Sequence, residues 1–174
     1  MMSYKIKDCQ EIEKGQLLKG VFIWVIHANK IPPHIGISSN GKFFSLKVNG
    51  KDNGEASDII LKVLEKKKIH TLFIEVKALK LSELALIFNR FKDLKSPEIT
   101  CLTPIIEFLK EDSKIETVSE LLVNLDKKNQ IKSFFGLNLT DDFVGIPSYS
   151  KIDIQNRILK LQDVKRSNNF SESH

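Results

Sequence analysis

The stretch LKGVFIWVIHANKIPPHIGISSNGKFFSLKV, residues 18–48, decides the reading of the fold. Its first part follows a glycine and is dense in β-branched and aromatic residues, the mark of a largely buried strand. Pro32-Pro33 stops that strand and forces an extended loop. HIGISS and KFFSLKV then read as two short strands joined by Ser39-Asn40-Gly41. Asn-Gly is a strong hairpin signal, because both residues tolerate the positive φ of a type I′ turn.

Working outward, NGKDNG (49–54) reads as another turn-rich loop, after which the hydrophobic period changes. Ala56, Ile59, Ile60, Val63 and Leu64 fall on one helical face. HTLFIEV (70–76) returns to strand character. Ser82 is placed to cap a helix carrying Leu84, Ala85, Ile87, Phe88 and Phe91. Pro97 breaks the chain before a helix expected over 101–111. Val118, Leu121, Leu122 and Leu125 mark another amphipathic helix, IKSFFGLNL a strand, and TDDFVGIPSYS a loop. Ile154, Ile158 and Leu161 mark a final helix. Early strands followed mostly by helices imply an α+β domain, with a small antiparallel sheet packed against helices. We expect a polar N-terminal arm over 1–16, a single α+β domain over 17–166 and a flexible tail over 167–174.

The chain of 174 residues is long enough to bury a core without staples. The N-terminal residues are charged throughout and lack the apolar core of an export signal. The apolar run VFIWVIHA, 21–28, is too short to cross a bilayer. A cytoplasmic protein is therefore expected, with its two cysteines, Cys9 and Cys101, as free thiols. The net charge of +5 invites a nucleic-acid reading, but only Arg90, Arg157 and Arg166 among the 27 basic residues are arginines. The lysines are dispersed among acidic residues, and Lys66-Lys67-Lys68 sits where a helix is expected to end and would favour its dipole. Nucleic acid is thus the weakest of the partner readings. The His and Cys residues show none of the close spacings of zinc ligands, and no cofactor or metal is expected.

Gly20, the hydrophobic strand, His34-Ile35-Gly36-Ile37, the Asn-Gly turn and Phe43-Phe44-Ser45 together resemble the papain-like hydrolases of the NlpC type. The likeness is to the circularly permuted group that includes lecithin retinol acyltransferase-like proteins, and it covers about thirty residues. In that group the histidine precedes the catalytic cysteine, which lies at a helix start. The resemblance implies a permuted papain-like fold and an acyl-transfer activity on an amide, ester or thioester. Its substrates span peptidoglycan peptides, lipids and protein conjugates, and a small-molecule, peptide or lipid substrate is the partner expected here. It also implies Cys101 as nucleophile, His34 as base and then acid, and Ser45 as the group that orients the ring. The chemistry needs a thiolate, an imidazole in reach, an orienting partner and an oxyanion donor.

The chain departs from the family pattern at Val21, where the family has aspartate, and at Ser38, where it has tyrosine. Serine is a weak orienter beside a carboxylate. Pro104 leaves two helix starts open. If Thr103 caps, Cys101 lies outside the helix; if Thr100 caps, Cys101 lies inside it and gains from the dipole. A rival reading is a binding module on the same fold without catalysis, with Cys101 a structural thiol. His27, His70 and Trp24 read as packing residues.

Overall fold

A computed structural model of the chain describes residues 3–77 and 82–172. The strands are β1 (Tyr4–Lys5), β2 (Cys9–Glu11), β3 (Val21–Ile26), β4 (His34–Ser39), β5 (Lys42–Lys47), β6 (Gly50–Ala56), β7 (Thr71–Val76), β8 (Ile131–Leu137) and β9 (Gly145–Ile146). The α-helices are α1 (Ser57–Lys66), α2 (Ser82–Asn89), α3 (Thr103–Leu109), α4 (Val118–Lys127) and α5 (Lys151–Glu172). The main sheet runs β2-β8-β7-β3-β4-β5-β6. It is antiparallel except where β2 lies parallel to β8. The chain is of the α+β class, as its pattern implies. Among the described residues no helix is long and apolar enough to cross a membrane.

The continuous apolar run of β3 follows from its central place, since all six of its residues are buried. Alternation divides it between two cores. Val21, Ile23 and Val25 face one that also takes Ile35, Ile37, Leu72, Ile74 and side chains from α2, α3 and α4. Phe22, Trp24 and Ile26 face the other, closed by Leu64 of α1 and Leu17 of a short 3-10 turn. Trp24 lies 4.5 Å from Phe43 and 4.9 Å from Phe73, centroid to centroid, and its Nε1–H donates to Ser38 Oγ at 2.8 Å. Gly36 sits opposite Trp24. A Cβ there would come within 2.5 Å of the Phe43 ring, so the glycine of HIGIS serves packing.

The Asn-Gly hairpin is present, with Asn40 at φ 45° and Gly41 at φ 82°. The Asn40 side chain also accepts from Gly20 N–H at 2.9 Å, tying the turn to the start of β3. Two expectations need correction. Residues 49–54 are not a loop. They belong largely to β6, whose extra residue, Gly54 at φ 95°, is absorbed as a bulge between the pairs Phe43↔Glu55 and Phe44↔Asn53. The segment expected as a polar arm supplies β1, paired with β9, and β2, paired with β8. The segment 167–174 continues α5 as far as Glu172, and residues 173–174 lie outside the described ones.

Candidate functional site

A cavity of about 860 Å³ opens where β3 ends and β4 begins. The β3–β4 ladder runs to Ile26↔His34, but the β4–β5 ladder stops at Gly36↔Ser45. Beyond that point another segment bonds to β5, with Leu94 N–H donating to Lys47 O at 2.9 Å. The chain from Leu94 to Leu102 thus borders the opening, and both Cys101 and His34 line the cavity.

Cys101 lies in the turn before α3, outside the helix. The helix expected over 101–111 is Thr103–Leu109, with Leu102 at the cap position. Thr100 holds the turn: its carbonyl accepts from Thr103 N–H at 3.1 Å and its hydroxyl from Leu102 N–H at 3.2 Å. Pro104 then falls in the first helical turn, where its missing N–H costs nothing. Without a place inside the helix, Cys101 loses the dipole argument for a low pKa. Burial pushes its thiol up, against the opposing pull of the Ile35 amide and its own. Tyr149 stands close by. Its phenol oxygen accepts from Val118 N–H at 2.9 Å, which leaves its own hydrogen to donate. Burial pushes that phenol up as well, opposed by the Val118 amide and reinforced by Cys101 and Glu120.

His34 is partly buried, and its ring is held down to about 4, chiefly by burial. Asp52 pulls the other way, while Lys47 and His27 add to the depression. Strand alternation sends the side chains of His34 and Ile35 to opposite faces of β4. Gly36↔Ser45 and Ser45↔Asp52 are register partners, so His34 shares its face with Ser45 and Asp52. Ser45 Oγ–H donates to Asp52 Oδ2 at 2.6 Å, and Lys47 Nζ bridges Asp52 Oδ1 at 2.9 Å. Ser45 therefore serves the carboxylate and is absent from the cavity wall. Asp52 is the carboxylate that His34 feels, and sequence reasoning missed it inside NGKDNG. Among the described residues no hydrogen bond joins Cys101 Sγ to His34; the thiol's amide partner is Ile35, one residue along.

At neutral pH Cys101 is a thiol and His34 a neutral imidazole. Proton transfer would have to accompany attack, with Asp52 stabilising the imidazolium as it forms. Among the described residues no group of three His, Cys, Asp or Glu side chains is placed to hold a metal ion. No family model, curated protein or solved structure matches the chain.

Proposed function

We propose that the chain is a thiol hydrolase or acyltransferase of permuted papain-like, NlpC-type fold. It acts in the cytoplasm on an amide, ester or thioester of a small molecule, peptide or lipid. One observation carries the reading: Cys101 and His34 open on one cavity, and a carboxylate lies on the ring's side of the sheet. His34 takes the Sγ proton as the sulfur attacks the carbonyl carbon. The oxyanion that forms is met by the Tyr149 O–H. Collapse expels the leaving group with the proton from His34, and water or an acceptor nucleophile then resolves the acyl-thioester.

The test is labelling by a thiol-reactive acyl probe. In a Cys9→Ser background, which removes the exposed second thiol, the parent should label, Cys101→Ala should not, and His34→Ala should label at least tenfold more slowly while keeping its fold by circular dichroism. Equal labelling of all three would refute the proposal. The raised thiol favours a second reading, a binding module of the same fold without catalysis. On that reading Cys101 alkylates as a buried thiol with its pKa above the ordinary value, and His34→Ala leaves its pH profile unchanged.

A further inference from the structure

The charges lining the cavity do not balance. Lys47 is paired with Asp52 at 2.9 Å. Lys51 Nζ donates to the Phe88 and Phe91 carbonyls, both at 2.8 Å. Glu116, the one acidic residue on the wall among the described residues, faces Lys151 at 3.9 Å. That leaves Lys30 and Arg157, with no carboxylate in ion-pair distance among the described residues. His27 lies with them, its ring lowered by burial first and then by the charges of Lys30 and Arg157. Much of the remaining wall is apolar, including Ile31, Pro32, Ile154, Ile158 and Leu161. The volume is that of a small-molecule site, where ligand sites run to about 300–1,000 Å³.

We infer that Lys30, Arg157 and His27 anchor the carboxylate or phosphate end of an amphipathic ligand whose apolar body fills the cavity. Arg157 offers the planar fork that binds such groups two-pronged, and Lys30 a point charge beside it. His27, neutral near pH 7, supplies a further hydrogen bond. The anchor shares its cavity with Cys101 but does not depend on the thiol's chemistry.

The experiment is calorimetric titration below the micellar range with decanoate, decyl phosphate, decanol and decyltrimethylammonium. Decanoate or decyl phosphate should bind at least tenfold more tightly than the other two, and the tighter of the pair identifies the anion as carboxylate or phosphate. Shortening the chain should weaken binding about fourfold per methylene removed. The double variant Lys30→Gln/Arg157→Gln changes two exposed side chains. It should keep its melting temperature and lose at least tenfold in anion affinity, with decanol unaffected. Cys101→Ala should bind the anions like wild type, so failure of the thiol chemistry and failure of the anchor are separable. Equal binding of the cationic amphiphile, unchanged anion affinity in the double variant, or no binding of either anion would overturn the inference.

Discussion

His34 enters the folded state as a neutral imidazole, and the sign of its effect on stability follows. Its folded pKa is about 4, against about 6.5 for an unperturbed ring. Between those values the unfolded chain binds a proton that the folded chain does not, so stability falls as the pH falls through that window. The loss from this ring is about 3 kcal/mol at most. His27 is shifted in the same direction and adds to it. Urea unfolding at pH 7 and pH 4.5 should show a smaller acid loss in His34→Gln than in wild type; identical losses would mean the ring protonates freely in the fold. His34 and Cys101 stood out in the sequence because His, Cys and their order are chemically rare signals. Asp52 did not, because its partners come from strand register. Ser45↔Asp52 is a pairing that a string of Asn, Gly, Lys and Asp does not announce.

At the scale of elements, local rules were most readable where side chains themselves set the backbone. The Asn-Gly turn and the Val118, Leu121, Leu122, Leu125 stripe of α4 are such cases, and all four of those apolar residues are buried. β6 was hidden for the converse reason. Its glycines and polar residues form a strand only because β5 offers a ladder and Gly54 absorbs the bulge. The end of the Cys101 segment was ambiguous because two threonines compete as caps; in the structure neither caps α3, whose cap position is Leu102, and both hydroxyls accept backbone N–H groups of the preceding turn instead. α4 has a clearer start. Thr117 Oγ1 accepts from Glu120 N–H at 3.3 Å, while Glu120 Oε2 accepts from Glu116 N–H at 2.9 Å. Removing the hydroxyl in Thr117→Ala orphans a donor and should cost about 1 kcal/mol. Thr117→Ser should recover most of it in denaturant midpoint, whereas a loss common to both would point to the methyl group's packing.

For the whole molecule, α5 joins the cavity to the rest of the fold. Ile154, Arg157, Ile158 and Leu161 all line the cavity that holds Cys101, yet among the helix's described side chains only Ile154 is fully buried. The helix thus forms part of the cavity wall while contributing little core of its own. Ending the chain after Ser150 should cost about 1.5–3 kcal/mol, the value of burying one large aliphatic side chain. The same truncation admits water to Cys101, whose thiol is raised chiefly by burial. Its pKa should fall toward the ordinary value, and iodoacetamide at pH 7.5 should alkylate it at least several-fold faster than in the full chain. Tyr149 remains in place, so its hydrogen bond to Val118 is not the variable. Ending the chain after Val164 keeps every cavity-lining residue of α5 and should leave the alkylation rate unchanged. If the shorter truncation alkylates no faster, the burial that raises Cys101 comes from the Leu94–Leu102 segment and β4, and α5 shapes only the ligand's end of the cavity.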